Sequence, residues 1–266
     1  MNKILDEIIQ QKALEITYLK KNELKVEIRD CPPSQDFIKA LIPKSNQYVH
    51  LIAELKIASP SKGFLAPNME MGYLAEIYQE NGASAISVLT DQKFFRGNIK
   101  ILRDLRQNKH ISLPLLRKDF IIDEVQLYET RANGADAVLL IAAALPDDYL
   151  LADLHACALE LGLTPLVEVH TQSEVERILR LKGLCLVGIN NRNLDTFEID
   201  LNVTTKLRPL IPKNITLIAE SGIFTRQDVD KLGKLGLHAI LVGEALVTSQ
   251  DIASKVRELS SRDCDL

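Results

Sequence analysis

The chain has 266 residues, of which 46% are hydrophobic and 26% charged, and a formal net charge of −4. This length suits one large domain or two small ones with a substantial core. The acidic balance gives no electrostatic reason to expect nucleic acid or an anionic membrane as a partner. The four cysteines and five histidines show no paired or metal-ligand spacing, so we expect reduced thiols and no metal site.

No apolar run approaches the ~20 residues that a membrane span needs, and the N-terminus lacks the pattern of a signal peptide. We therefore expect a soluble cytoplasmic protein. Residues 2–22 carry apolar side chains at helical spacing among charges, which predicts an amphipathic helix. Residues 30–34 break this pattern, and Ser34 is placed to cap a short helix from about Gln35 to Leu41.

Eight short apolar runs rich in β-branched residues follow, with starts 21 to 35 residues apart and amphipathic stretches between them. Five of them are preceded by a glycine-containing turn, as is typical of a helix that leads into a buried strand. The runs are 49–55, 84–89, 113–116, 136–141, 164–169, 185–189, 216–219 and 239–242.

Near-continuous apolar runs separated by helices indicate parallel strands that are buried on both faces. Eight such units in this length predict an α/β protein with a (β/α)8 TIM barrel, whose usual size is ~250 residues. The alternative is an open doubly wound sheet, but no Gly-x-Gly-x-x-Gly follows the first run. We assign residues 1–45 to an N-terminal helical extension packed on the barrel and residues 46–266 to the barrel.

Active sites of such barrels lie at the carboxyl ends of the strands, and these positions are polar here. Charges brought together there cost desolvation free energy unless they are paired. Such a cluster is therefore difficult to explain without a function. The residues concerned are Glu54, Lys56, Ser59, Lys118, Glu168, Asn190, Arg192, Glu220, Ser221, Gly222, Gly243 and Glu244.

Each of these has a plainer alternative. Glu54 and Lys56 point to one face of a strand and could form an ordinary ion pair at its end. Lys118 lies between Arg117 and Asp119 and could be a solvated loop charge. We favour a catalytic role, because crowding by other cations makes a lysine easier to deprotonate. Glu168 could carry a proton or form a salt bridge with a neighbouring lysine, and the two roles are compatible.

Asparagines and glycines after the last three runs also have two interpretations. Asn191 and Asn193 are interpreted as turn formers, since asparagine tolerates left-handed backbone. Ser221 and Gly222, with Gly243 and Glu244 in the next loop, form either two ordinary βα turns or the loops that usually bind phosphate in such barrels, and we favour phosphate binding. His170 lies on the same strand face as Glu168, but we interpret it as structural or solvent-exposed.

Taken together, these motifs resemble the indole-3-glycerol-phosphate synthase family. The segments 53–63 and 113–123 are the most specific, and the resemblance runs from the N-terminal helix to about residue 250. Further matching segments are 87–97, 166–170, 188–194, 219–223 and 241–246.

The resemblance implies a lyase of tryptophan biosynthesis. Its phosphorylated substrate, 1-(2-carboxyphenylamino)-1-deoxyribulose 5-phosphate, closes to indole-3-glycerol phosphate with loss of CO2 and water, without a cofactor or metal. It implies Lys118 as the general acid and Lys56 as the group that holds the carboxylate or itself donates protons. Glu168 would move a proton during dehydration, and Glu54 would help to expel the hydroxyl or hold Lys56.

The remaining residues would contact the substrate. Asn190, Glu220 and Ser221 would orient its hydroxyls and amine. Phe94 or Phe95 and Phe120 would form apolar walls for the aromatic ring. The full set of expected substrate-binding residues is Ser59, Phe94, Phe120, Arg192, Gly222, Gly243 and Glu244.

Three positions depart from the family pattern. Ile57 stands where a basic residue is more common, and Leu55 stands where isoleucine is common. The acidic Glu244 lies beside the expected phosphate, so its side chain must point away or be paired. No second barrel follows residue 250, so we expect no fused isomerase domain, and a monomer. The competing hypotheses are a phosphoribosyl-anthranilate isomerase and a catalytically silent phosphosugar-binding barrel.

Overall fold

Eight parallel strands close into a barrel in a computed structural model, which describes residues 3–21, 31, 33–42, 49–59, 63–64, 69–193, 196 and 198–260. The predicted (β/α)8 barrel is confirmed, and each strand overlaps one of the eight predicted runs. The strands are β1 (His50–Leu55), β2 (Ala85–Leu89), β3 (Leu115–Lys118), β4 (Ala137–Ile141), β5 (Thr164–Val169), β6 (Leu186–Asn190), β7 (Thr216–Glu220) and β8 (Ala239–Val242). Each strand pairs with its neighbours in the chain, and β1 closes the ring against β8.

Side chains alternate along each strand, and this alternation creates two apolar layers. Ile52, Leu116 and Leu166 face the barrel interior. Leu51 and Val167 face outward and pack against the surrounding helices. Both faces of every strand are therefore buried, which explains the near-continuous apolar runs of the sequence.

The helices alternate with the strands and form the outer ring. The five predicted glycine turns lie before β2, β4, β5, β6 and β8, and all have left-handed backbone, with φ from 73° at Gly162 to 117° at Gly82. The helices are α1 (Lys3–Lys21), α2 (Met71–Asn81), α3 (Ile99–Gln107), α4 (Glu124–Ala132), α5 (Asp148–Glu160), α6 (Gln172–Ile178), α7 (Asn202–Leu207), α8 (Arg226–Lys234), α9 (Glu244–Val247) and α10 (Ile252–Leu259).

The N-terminal helix α1 packs onto the barrel, partly through a buried charge. Leu5 and Ile8 join the apolar cluster that fills the barrel interior. Lys12 is buried, and its Nζ lies 2.9 Å from Asp91 Oδ2 and 2.8 Å from Asp119 Oδ1. Both aspartates follow barrel strands, so α1 is attached to the loops at the carboxyl end of the barrel.

The expected helix from Gln35 to Leu41 was wrong, because only the 3-10 turn Lys39–Leu41 forms. Ser34 does not cap it: its Oγ donates to the carbonyl of Gly162 at 2.6 Å. The Gln35 amide donates to Asp136 Oδ1 at 2.7 Å. These contacts attach the start of the segment to the barrel.

Three further sequence expectations concern the domain boundary, the cysteines and membrane-spanning helices. The boundary between residues 45 and 46 lies outside the described residues and stays a prediction. Cys31, Cys157 and Cys185 are free thiols, while Cys264 also lies outside the described residues. In the parts of the chain that the structure describes, no helix is both long and apolar enough to cross a membrane.

Candidate active site

A cavity opens at the carboxyl end of the barrel, with about 960 Å³ of empty space including its mouth. Twelve of the fourteen residues proposed from the sequence line it. They are Glu54, Lys56, Lys118, Phe120, Glu168, Asn190, Arg192, Glu220, Ser221, Gly222, Gly243 and Glu244.

Lys118 lies at the centre of the charged wall, and its surroundings differ from the sequence expectation. Strand β3 extends to Lys118, so Arg117 and Lys118 point to opposite faces of the sheet. Arg117 points outward and pairs with Asp119 at 3.1 Å. Lys118 points inward, with Nζ 3.4 Å from Glu168 Oε2 and 3.4 Å from Glu220 Oε2. The lysine is thus crowded by carboxylates, and the expectation that cations surround it was wrong.

The charges of this cluster follow from burial and proximity. Burial disfavours the ammonium of Lys118, but Glu168, Glu220 and Glu54 outweigh it and raise its pKa above the ordinary value. Burial also disfavours the carboxylate of Glu168, yet Lys118 holds the pKa of Glu168 below its usual range. Burial, together with the charge of Glu168, raises the pKa of Glu220 to about 8. At neutral pH the site therefore holds a charged lysine, an ionised Glu168 and a protonated Glu220.

Two glycines make room for the buried carboxylates. A Cβ on Gly243 would lie 2.6 Å from Glu54 Oε1, and a Cβ on Gly188 would overlap Glu220 Oε1. Sequence reasoning missed Gly188 as a site residue, although a glycine that interrupts an apolar strand run is itself a signal of close approach. Neither carboxylate oxygen of Glu220 has a hydrogen-bond partner among the described residues, although Oε2 lies 3.4 Å from Lys118 Nζ.

Glu54 and Lys56 form a second charged pair beside the aromatic wall. Lys56 Nζ lies 3.6 Å from Glu54 Oε1 and 6.0 Å from the ring centroid of Phe95. The ring of Phe95 lies 6.1 Å from that of Phe120. A ligand with a carboxylate on an aromatic ring could therefore place its charge on Lys56 and its ring against the phenylalanines.

The substrate-binding assignment of Phe94 needs correction, because the aromatic residue of this loop that lines the cavity is Phe95. Asp91 Oδ1 accepts hydrogen bonds from the amides of both Phe94 and Phe95, at 2.7 and 3.1 Å. This turn sends consecutive side chains in different directions, and the Phe94 ring lies 5.5 Å from Lys93 Nζ. Sequence reasoning also missed the apolar wall residues Ile141, Phe224 and Leu241.

The loops after β6, β7 and β8 form the remaining side of the cavity. Ser221 and Gly222 both have left-handed backbone, with φ of 65° and 78°, which turns the chain sharply at the cavity. Arg192 Nη2 lies 3.6 Å from Glu244 Oε2, so the acidic side chain is paired, as its position required. Asn190 Oδ1 accepts a hydrogen bond from the Arg192 amide at 3.0 Å.

Asn191 is buried and connects strands rather than facing the cavity. Its Nδ2 donates to the carbonyls of Glu220 at 3.0 Å and Ser221 at 3.2 Å, and its Oδ1 accepts from Thr204 Oγ1 at 2.7 Å. These bonds hold the end of β7 in position. Ser59 lies in the short hairpin formed by Ala58–Ser59 and Gly63–Phe64, and its side chain lies outside the described residues.

The barrel and its cavity define an enzyme class: a (β/α)8-barrel enzyme with a buried lysine and carboxylates for acid–base chemistry. The family model described as indole-3-glycerol phosphate synthase matches residues 5–259. The protein of that name from Desulforamulus reducens is 49% identical over 261 residues, covering 96% of each chain. The one from Roseiflexus castenholzii is 45% identical over 272 residues, covering 98% of this chain and 100% of its own.

The chain belongs to the indole-3-glycerol phosphate synthase family, whose members are carboxy-lyases of tryptophan biosynthesis. Solved structures show the fold alone. The 3-hexulose-6-phosphate synthase of Salmonella typhimurium has a TM-score of 0.62 at 16% identity, covering 80% of this chain and 97% of its own. A chain of a tryptophan synthase complex from Pyrococcus furiosus has a TM-score of 0.57 at 18% identity, covering 80% of this chain and 98% of its own.

Proposed function

We propose that this cavity closes 1-(2-carboxyphenylamino)-1-deoxyribulose 5-phosphate to indole-3-glycerol phosphate with Lys118 as the general acid. The observation that carries this proposal is the position of Lys118, 3.4 Å from two buried carboxylates. The ionised Glu168 beside it helps to keep the ammonium protonated at neutral pH, so a proton is available to a ketone oxygen. A general acid must hold its proton before the reaction begins.

The first step is ring closure. The ring carbon that bears the carboxylate attacks the ketone carbon, the C=O π bond breaks, and Lys118 donates its proton to the oxygen. The new bond leaves positive charge on the anilino nitrogen. Phe95 and Phe120 support this step because their neighbouring rings form an apolar wall for the aromatic part of the substrate.

The second step is decarboxylation. The bond from the ring carbon to the carboxylate breaks, CO2 leaves, and the electron pair restores the aromatic ring and neutralises the nitrogen. Lys56 holds the carboxylate until then, which its position 6.0 Å from the Phe95 ring supports. Glu54, 3.6 Å away, keeps Lys56 in place.

The third step is dehydration. Glu168 removes a proton from the carbon beside the ring nitrogen as the C–O bond breaks, and Lys56 donates a proton to the hydroxyl, which leaves as water. Lys56 then takes up a proton from solvent, which supplies the one proton that the overall reaction consumes. Glu168 then returns its proton to Lys118, 3.4 Å away. Lys118 holds the pKa of Glu168 below its usual range against the opposing effect of burial, so the carboxylate is ionised and can accept a proton.

The other cavity residues bind and orient the substrate. Protonated Glu220 donates a hydrogen bond to a substrate hydroxyl, and Asn190 lies beside it at the end of β6. The phosphate binds in the loops after β7 and β8, where the glycines allow close backbone approach. We assign Ser221, Gly222, Gly243 and Arg192 to the phosphate, with Glu244 contributing its backbone while its side chain pairs with Arg192.

The reaction is tested by mixing purified protein with the carboxyphenylamino-deoxyribulose phosphate and following indole fluorescence. Lys118→Ala should lower the rate by about 10²–10⁴-fold, the usual effect of losing an acid–base group. Lys20→Ala is the matched control, because the Lys20 side chain is 55% exposed on α1. Indole formation by Lys118→Ala at the wild-type rate would move the general acid to another residue, with Lys56 first.

A second outcome would contradict the reaction itself. Folded wild-type protein that forms no indole at saturating substrate would favour a phosphosugar-binding barrel, and product analysis would distinguish an isomerase. Cytoplasmic location and the monomeric state stay predictions.

A further inference from the structure

One histidine beside the cavity lies between two carboxylates. His170 follows β5, and its side chain is 11% exposed. Its Nε2 lies 3.4 Å from Glu168 Oε1, and its Nδ1 lies 3.5 Å from Glu174 Oε2 on α6. The sequence interpretation gave His170 a structural role, but these contacts place it directly behind a residue of the charged cluster.

We propose that His170, as an imidazolium held by Glu174, is a positioning residue that keeps Glu168 ionised and oriented toward the substrate. The side chains of Glu168, His170 and Glu174 form a carboxylate–imidazole–carboxylate chain that leads from the cavity to the first turn of α6. This inference rests on the proposed role of Glu168 as the base of the dehydration step.

The geometry around Glu168 supports the proposal. Oε2 of Glu168 lies 3.4 Å from Lys118 Nζ, and Oε1 lies 3.4 Å from His170 Nε2. Each carboxylate oxygen therefore faces a different cation, so a rotation of the carboxylate would weaken both interactions. Lys118 alone would leave Oε1 without an opposing charge in this part of the cavity.

Glu174 is held firmly enough to orient the imidazole. Its Oε2 accepts a hydrogen bond from the His170 amide at 2.7 Å. Its own amide donates to Thr171 Oγ1, the N-cap of α6, at 3.3 Å. Glu174 thus binds both the backbone and the ring region of His170, and its side chain is 13% exposed. Each ring nitrogen of His170 thus lies within 3.5 Å of a carboxylate oxygen, so the ring is enclosed between two acidic groups.

The charge of His170 depends on groups from four elements. Burial favours the neutral ring, but Glu174 on α6, Glu168 on β5 and Glu220 on β7 together raise the pKa of His170 above its ordinary value. Lys118 on β3 opposes them from the far side of Glu168. The nearby carboxylates therefore favour the imidazolium, which is lost as pH rises through the raised pKa. Above that pH, Glu168 keeps only one of its two cations.

The test compares His170→Gln with His170→Lys and with the control His110→Gln, since His110 lies on the exposed surface. We expect His170→Gln to lower kcat about tenfold, a fraction of the full effect of losing an acid–base group, with KM nearly unchanged. His170→Gln should also remove one ionisation from the high-pH side of the plot of kcat against pH. His170→Lys should restore part of kcat, because it returns a cation.

A wild-type kcat and an unchanged high-pH side of this plot in His170→Gln would overturn the proposal. A fall in the urea midpoint with no change in the pH profile would also overturn it, since that outcome describes a purely structural histidine.

A second measurement does not depend on turnover. The imidazole pKa of His170, followed by NMR in 15N-histidine-labelled protein and assigned with His170→Gln, should fall in both Glu174→Gln and Glu168→Gln. An unchanged pKa in either variant would contradict the carboxylate–imidazole–carboxylate chain. If the pKa falls but Glu168→Gln retains full activity, the chain exists and the proposed role of Glu168 is the part that fails.

Discussion

Replacement of Lys12 by methionine tests how the N-terminal helix is attached to the barrel. Lys12 Nζ lies within 2.9 Å of both Asp91 and Asp119, and its side chain is 3% exposed. Methionine keeps most of the volume but removes the charge, so two buried carboxylates lose their common cation. Arg117, 3.1 Å from Asp119, compensates one of them in part.

The expected loss follows from burial. Removing one partner of a buried ion pair typically costs about 3–5 kcal/mol, because the charge left behind is uncompensated. Lys20 provides the matched control on the same helix: it pairs with Asp123 at 2.6 Å, but its side chain is 55% exposed. An exposed pair contributes only about 0–1 kcal/mol.

Urea denaturation of Lys12→Met, Lys20→Met and wild type measures both losses. The pKa of Asp119 is held below its usual range because Arg117 and Lys12 outweigh burial. This stabilisation is present above the unfolded pKa, about 3.9, and is lost as pH falls through the lower folded value. The deficit of Lys12→Met should therefore shrink in acid. Equal losses at pH 7 for the two variants would refute the reasoning.

Three further predictions concern the charged cluster. Glu220→Gln should retain more activity near pH 7 than Glu168→Gln, because burial keeps Glu220 protonated below a pKa of about 8, whereas Glu168 is ionised; equal losses of indole fluorescence rate would contradict this. Glu220→Gln should also raise the urea midpoint. Its advantage should grow between the unfolded pKa, about 4.3, and about 8, because wild type loses the stability of its protonated form over that window; an advantage independent of pH would be inconsistent with a raised pKa. Gly243→Ala should lower kcat by about tenfold or more, since its Cβ would lie 2.6 Å from Glu54 Oε1 and displace that carboxylate; wild-type kcat at saturating substrate would show that Glu54 tolerates the shift.

The barrel could be predicted because its signals are local. Strand runs buried on both faces are continuously apolar, and the turns before them need a glycine with left-handed backbone; both features are visible in short windows. Polar residues at the strand ends could be assigned to one site because parallel strands place their carboxyl ends together. Twelve of the fourteen predicted site residues line the cavity for this reason.

Side-chain surroundings could not be predicted in the same way. The adjacent residues Arg117 and Lys118 suggested a cationic environment, but alternation along β3 sends them to opposite faces and places Lys118 among carboxylates. In the loop after β2, Phe95 rather than Phe94 lines the cavity, because a turn around Asp91 decides the direction of each side chain.

The sequence by itself determined the order of helices and strands, the closure of the barrel and the set of residues at its mouth. Only the tertiary structure decided which charges meet. On α1 the apolar Leu14 is 68% exposed while the charged Lys12 is buried, because the two aspartates that compensate Lys12 come from loops about 80 and 107 positions away in the chain. Burial and pKa depend on distances through space, and local sequence patterns do not contain those distances.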